Sequence, residues 1–259
     1  MICDSIHADS RDACTAFGTG FSRSERQIDM ERLFSLPGVV MVLDEEGLGQ
    51  ASREDLCHLV ALEWKQFDSV LGMNGRASCQ DDLRQFFAYR SAQYLAFPHE
   101  LVHPVLSELK RADDEGRNLI AEKYARMMRV TDPEIYRTTW ARKLPIPSPV
   151  RKAALAQIRA LLSPALDDAA RELPQSHLHA RPDRSNVRTV SAMDYFLAEV
   201  EGYSLGTIYR LRDALGRQLP RENPIALSYV LASRLIDATE VSACIARSAT
   251  HANATTSTE

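Results

Sequence analysis

Apolar positions recur at helical spacing over most of the chain. Leu56, Leu59, Val60, Trp64 and Phe67 make one stripe, and Leu83, Phe86, Phe87, Tyr94 and Leu95 a second. Val105, Leu106, Leu109 and Ala112 make a third, and Leu119, Ile120, Tyr124, Met127 and Met128 a fourth. This is the period of amphipathic α-helices. A short helix is predicted from Asp132-Pro133 through Trp140. Another runs from Val150 to about Leu162, with Pro164 starting its continuation to Leu173. Three more cover about 191–202, 204–218 and 224–247. Val39–Leu43 is the one β-branched run, and a strand there has no partner, so it reads as a buried extended segment or part of a helix. No β/α alternation and no Gly-rich phosphate loop is present. The pattern predicts an all-α fold, a single compact domain of roughly eight to ten helices over residues 51–247. A leader over 1–50, partly disordered with a short helix at 28–36, precedes it, and a disordered tail covers 248–259.

Punctuation residues set the expected boundaries. Ser52 with Asp55 resembles a capping box, and Gly72–Gly75 ends the helix that follows. Ser78 is expected to cap the next helix, with Asp81 as its box partner and Cys79 and Gln80 as its first residues. Pro145, Pro147 and Pro149 form a stiff connector, and residues 174–190 read as a polar loop.

Composition narrows the classes. At 259 residues and 45% hydrophobic, the chain buries a core without needing disulfides or metal. A net charge of -4, with basic and acidic residues interleaved, gives no pull toward nucleic acid or a membrane surface. The five cysteines, Cys3, Cys14, Cys57, Cys79 and Cys244, show no CxxC spacing. His99 and His103 stand four apart but lack a third ligand nearby, so neither metal nor cofactor is expected. No apolar run reaches the roughly 20 residues that span a bilayer, and the cytoplasm is the expected location. The oligomeric state is left open.

Chemistry concentrates in three stretches. In the first, Arg76, Cys79, Gln80 and Asp81 lead into Arg90 and Gln93, and Phe86, Arg90 and Gln93 share one helix face. An inward guanidinium needs an anionic partner, either Asp81 or Asp82 within the chain or a bound anion. Cys79 at a helix start would have its thiolate favoured by the helix dipole. The second stretch holds Arg117, Asn118, Lys123 and Tyr124. Lys123 and Tyr124 diverge by about 100°, so one of them faces straight inward. A lysine in an apolar setting can act as a base, or its charge can snorkel to solvent. The third stretch pairs Tyr195 with Glu199 one turn on, and Glu199 is either a general base or the partner of an inward arginine. Glu63 falls on or beside the apolar stripe of its own helix.

These residues carry a family resemblance over about Leu56–Leu219. The strings are Glu63-Trp64, Gly75-Arg76-Ala77-Ser78-Cys79-Gln80-Asp81-Asp82, Arg90 with Gln93, and Glu115-Gly116-Arg117-Asn118-Leu119. They continue in Glu122-Lys123-Tyr124-Ala125-Arg126-Met127-Met128, Thr131, Pro133, Tyr136, Arg181-Pro182 and Tyr195 through Glu199 to Tyr203-Ser204. They resemble a bacterial domain-of-unknown-function family, number 4125 in its series. The resemblance implies a stand-alone helical domain without a known cofactor and assigns no reaction.

Two functional expectations follow. In the first, the chain is an enzyme of lyase or transferase type in specialised metabolism, acting on a small anionic, amino-acid-like substrate. Arg76, Gln80, Asp81, Arg90, Gln93, Arg117, Asn118 and Tyr195 would bind it, and Cys79, Lys123, Tyr124 and Glu199 would carry the chemistry. In the second, the chain is a non-catalytic helical binding or regulatory module whose polar cluster is structural.

Overall fold

The computed structural model describes residues 23–70, 75–178 and 180–255, with side chains described between 29 and 240. Among the described residues the chain is helical with no β-strand, and it forms twelve α-helices rather than eight to ten. In order they are α1 (Arg23–Ser35), α2 (Pro37–Glu45), α3 (Gln50–Asp68), α4 (Leu83–Ala96), α5 (Val102–Asp114) and α6 (Leu119–Thr131). They continue as α7 (Pro133–Ile135), α8 (Pro149–Glu172), α9 (Pro174–Leu178), α10 (Ala192–Val200), α11 (Leu205–Gln218) and α12 (Pro224–Thr255).

The extra elements come from stretches left open between helix and extended chain or read as loop. Val39–Leu43 belongs to α2, opened by Pro37 in its first turn, where the missing N–H costs nothing. Met30, Leu33, Phe34, Val39, Val42 and Leu43 are buried, so α1 and α2 form part of the core rather than a loose leader. Residues 1–22 of the expected leader lie outside the described residues. At the other end α12 continues to Thr255, past the point where a tail is expected, and residues 256–259 are not described. The loop read at 174–190 begins with α9. Pro164 does not divide its helix, because α8 is continuous across it and buries Leu162, Ala165 and Leu166 on either side. Burial of those side chains offsets the lost backbone bond.

Two expected caps are placed differently. Helix α3 starts at Gln50 behind Gly49, ahead of Ser52. Ser78 does not start an α-helix: Ser78–Asp81 is a single 3₁₀ turn, and α4 begins at Leu83 with the Asp82 carboxylate accepting from the Gln85 N–H. The turn between α5 and α6 depends on Gly116, whose φ of 70° a side chain would strain.

Helix α4 lies at the centre. Phe86, Phe87, Ala88, Arg90, Ser91, Ala92, Gln93, Tyr94, Leu95 and Ala96 are all buried, which leaves it almost no solvent face. Helix α12 packs along it, with α3 and α1 on other sides. Phe87 meets Phe34 of α1 edge-on at 4.9 Å, and Phe86 packs on Trp64 and Phe67 of α3 at 4.9 and 5.3 Å. Such pairs contribute about 0.5–1.5 kcal/mol each beyond area burial. From Phe86 onward, a helix enclosed this way has nowhere solvated to put a charge. The polar groups it carries must be matched from neighbouring helices.

Candidate functional site

The match comes from four helices that converge on Arg90. Its Nε donates to Glu63 Oε2 of α3 at 2.7 Å and its Nη2 to Glu63 Oε1 at 2.5 Å. The same guanidinium donates to both carboxylate oxygens of Glu199 on α10, at 3.0 and 3.2 Å. Gln93 Oε1 accepts from Nη1 at 2.9 Å, and the Tyr94 hydroxyl accepts from Nη2 at 3.0 Å. Tyr94 in turn donates to Glu63 at 2.7 Å. From α6, Lys123 Nζ donates to Glu199 Oε2 at 2.9 Å and lies 3.4 Å from the centre of the Tyr195 ring. The Tyr203 hydroxyl donates to Glu199 Oε1 at 3.0 Å.

Two carboxylates and two cations thus share one buried network and balance in charge. Glu63, Arg90, Lys123 and Glu199 are all buried. Burial opposes the charge on Arg90, but Glu199 and Glu63 outweigh it and hold the guanidinium well above its usual pKa. Burial likewise opposes the Glu199 carboxylate, and Arg90 and Lys123 override it to hold the group well below the usual carboxylate range. For Lys123 burial prevails over Glu199, and its pKa is lowered. Burial and then Glu63 push the Tyr94 hydroxyl well up; burial and then Glu199 do the same to Tyr203. The cavity against this network holds only about 30 Å³, lined by Gln93, Tyr94, Glu199 and Tyr203 among others. That is room for about one water.

Of the residues singled out in the sequence, Arg90, Gln93, Lys123, Tyr195 and Glu199 come together here. The partners expected for Arg90, Asp81 or Asp82, are not the ones it has. Lys123, not Tyr124, turns inward and is buried rather than snorkelling; Tyr124 is half-buried, stacked 6.4 Å from Phe67. Tyr195 also has the Arg181 guanidinium 4.0 Å from its ring centre.

The remainder build two local ties. Arg76 is exposed and binds Asp68 at 2.6 Å and Asp81 at 2.9 Å. Gln80 is buried and its amide donates to the carbonyls of Phe67 and Val70, at 2.7 and 2.9 Å. Its Oε1 accepts from the Ala77 N–H, so Gln80 closes the turn that Ser78 was expected to cap. Cys79 is half-buried in that 3₁₀ turn against the core, not at the start of an α-helix, so the helix-dipole argument for a thiolate does not apply to it. In the second tie, Asn118 caps α6 by accepting from the Ala121 N–H and donates to the Gln66 carbonyl at 2.8 Å. Arg117 forks onto Glu122 at 2.8 and 3.0 Å and reaches Glu115 at 3.1 Å.

Arg126 and Glu108 are among the buried polar groups that were not singled out. Arg126 donates to Glu122 at 2.9 Å and to the Ala198 carbonyl at 3.3 Å, linking α6 to α10. Glu108 of α5 accepts from the Ser204 N–H at 3.0 Å and the Thr207 hydroxyl at 2.7 Å, anchoring the start of α11. Arg126 stands four residues after Glu122 and three after Lys123, and that spacing is the signal available in the sequence. His99 and His103 do not share a site: His99 bonds the Leu95 carbonyl and His103 the Asp55 carboxylate. Among the described residues no group of three His, Cys, Asp or Glu side chains is placed to hold a metal, and no helix is long and apolar enough to cross a membrane.

The fold and site define an all-helical protein cross-braced through its centre by charge. The chain belongs to the family described as Protein of unknown function (DUF4125), which matches it over residues 55–235. That span includes the whole network around Arg90. Neither a curated protein nor a solved structure matches the chain.

Proposed function

We propose that this chain is a non-catalytic helical binding module, and that the network of Glu63, Arg90, Lys123 and Glu199 is its structural brace rather than a reaction centre. One observation carries the reading: each cation expected to hold an anionic substrate is already held by carboxylates of the chain itself. Arg76 is on Asp68 and Asp81, Arg90 on Glu63 and Glu199, Arg117 on Glu115 and Glu122, and Lys123 on Glu199. A substrate carboxylate would have to displace one of them, and a cavity of about 30 Å³ does not admit a metabolite.

The enzyme reading, a lyase or transferase acting on a small anionic, amino-acid-like metabolite, keeps one observation in its favour. Burial lowers the pKa of Lys123, as a general base requires, with Glu199 and Tyr195 in contact. We favour the structural reading because the same burial closes access. The proposal includes a cytoplasmic location and a small-molecule ligand rather than nucleic acid, in keeping with the interleaved charges.

A thermal-shift screen of amino acids, keto acids and phosphorylated metabolites tests it. Wild type is compared with a Lys123→Met, Glu199→Gln double variant, which removes two opposite buried charges and preserves volume. A ligand that raises the melting temperature of both proteins alike supports the reading. A ligand that stabilises wild type but not the folded double variant overturns it in favour of a site at the network.

A further inference from the structure

The net charge conceals how unevenly the charges are spread. Residues 135–166 contain Arg137, Arg142, Lys143, Arg151, Lys152 and Arg159 and no acidic residue, in a chain whose net charge is -4. The interleaving of opposite charges expected from the whole sequence therefore fails over one stretch. It runs from the π-helical turn Tyr136–Trp140 through the proline connector into α8. Three of its cations are engaged: Arg137 pairs with Glu134, Arg159 with Asp194, and Arg151 donates to the carbonyls of Glu201 and Tyr203. Arg142, Lys143 and Lys152 are exposed and have no ion pair among the described residues.

An apolar tip stands among these free cations. Leu144 is buried, but Ile146, two residues on, is 87% exposed, and Val150 is 53% exposed. Pro145, Pro147 and Pro149 fix φ on both sides of Ile146, so the tip is held out and cannot fold back over Leu144. A single exposed aliphatic side chain is ordinary. One carried on a stiff loop between unpaired cations is not. Lys143 Nζ also lies 5.2 Å from the centre of the half-buried Trp140 ring, just behind the tip. Arg142, Lys143, Val150 and Lys152 all stand within six residues of Ile146. At no more than about 3.6 Å per residue, that places them within about 20 Å of it.

The free cations need an anionic surface, and the tip needs an apolar medium that requires no shaped pocket. A bilayer of anionic lipid supplies both. Its headgroups attract lysine and arginine, its acyl region accepts an aliphatic side chain, and tryptophan favours the boundary between them. Nucleic acid answers only the charge, because neither Ile146 nor Val150 offers a ring on which a base can stack. We infer that the connector over residues 142–152 docks this protein reversibly on an anionic membrane surface. Ile146 enters at headgroup level, and Arg142, Lys143 and Lys152 lie against the lipid charges. No helix among the described residues is long and apolar enough to cross a membrane, so the contact is peripheral. None of these residues belongs to the network around Arg90, and the inference stands apart from the binding-module reading.

Flotation of the full chain with lipid vesicles tests it. Phosphatidylcholine vesicles containing about a third phosphatidylglycerol should carry protein upward, and salt at about 0.5 M should release it. Vesicles of phosphatidylcholine alone should bind at least about five-fold less, the factor expected for one cation near an anionic surface. The Arg142→Glu, Lys143→Glu double variant should lose at least about ten-fold, and Ile146→Asp should lose several-fold. All three positions are exposed, and a melting temperature equal to that of wild type checks the fold of each variant. Lys110→Glu, at an exposed lysine of α5 outside the stretch, should bind like wild type. No flotation, equal binding to both kinds of vesicle, or an equal loss in Lys110→Glu overturns the inference. Duplex DNA bound alike by wild type and Ile146→Asp, without flotation, overturns it in favour of nucleic acid.

Discussion

Arg90 and Glu63 meet through two hydrogen bonds of 2.5 and 2.7 Å, from the centres of two packed helices and 27 residues apart in sequence. Neither side chain has access to bulk solvent, so each is the other's substitute for water. Removing one partner of such a pair costs more than the pair contributes, because the survivor is left charged in an apolar setting. Arg90→Met should therefore lower stability by about 3–5 kcal/mol. Adding Glu63→Gln restores charge balance and should recover part of that loss. Urea denaturation of the two variants measures the difference, and a double variant no more stable than Arg90→Met would argue against charge balance as the cause.

The inward direction of Arg90 was legible because it shares a face with Phe86 and Gln93. The sequence offers Glu199 as the partner of an inward arginine, and it is one, but does not say which arginine. Glu63 was ambiguous at the edge of a stripe, and Glu199 lies 109 residues away on a helix whose approach only the tertiary fold decides. The all-helical class and most central helices followed from periodicity. The start of α4 was misplaced because Ser78 and Asp81 have the residue types of a cap, whereas the side chain of Gln80 takes the Ala77 N–H and closes a 3₁₀ turn instead. In the structure Arg76, Gln80, Arg117 and Asn118 bond groups of the chain itself around turns and helix starts, far along the sequence from the Glu199 they were read beside.

Acid should act first through Glu199. Its pKa in the folded chain lies below the ordinary value of 4.5, held there by Arg90 and Lys123 against the effect of burial. The unfolded chain then binds more protons at low pH, so this stabilisation is fully present above about pH 4.5 and is lost as pH falls below it. Glu108 and Asp194 are also depressed, against burial, by hydrogen bonds from Ser204 and Thr207 and from Ser185 and Arg159 respectively, and have the same sign. Unfolding free energy measured from about pH 7 to about pH 3 should fall steeply for wild type. The Glu199→Gln protein should start lower and fall less. Parallel curves would mean that Glu199 is not held in its charged form.

Glu108 ties α5 to α11 by accepting both the Ser204 N–H and the Thr207 hydroxyl, while Arg111 pairs with it from one turn on. Glu108→Ala strands two donors and should destabilise by about 2–3 kcal/mol. Glu108→Gln keeps an acceptor and should cost less, and Thr207→Val should cost about 1 kcal/mol. Hydrogen exchange supplies the local readout: the amides at the start of α11 should lose protection in the alanine variant before those of α4. Uniform loss across both helices would show that Glu108 supports the whole fold rather than this junction.

Helix α2 packs on α12, and Gly38 lies in close contact with Ala238 there. A Cβ built at Gly38 would lie 3.1 Å from the Ala238 Cβ and 3.4 Å from its Cα. Alanine there brings a helix-propensity gain of up to about 1 kcal/mol against a contact that neighbours must yield by tenths of an ångström, so Gly38→Ala should be nearly neutral. Valine adds two methyl groups where the facing atoms are largely backbone and cannot move aside. Gly38→Val should cost about 1–3 kcal/mol by overpacking. Gly47 is the control: a Cβ there meets nothing within 4 Å, but its φ of 69° makes any side chain strained. Gly47→Ala should therefore destabilise by about 1 kcal/mol through backbone strain alone. Melting temperatures of the three variants separate the causes. If Gly38→Val melts with wild type, α2 does not press on α12 as closely as this geometry requires, and residues 23–45 revert to a detachable leader.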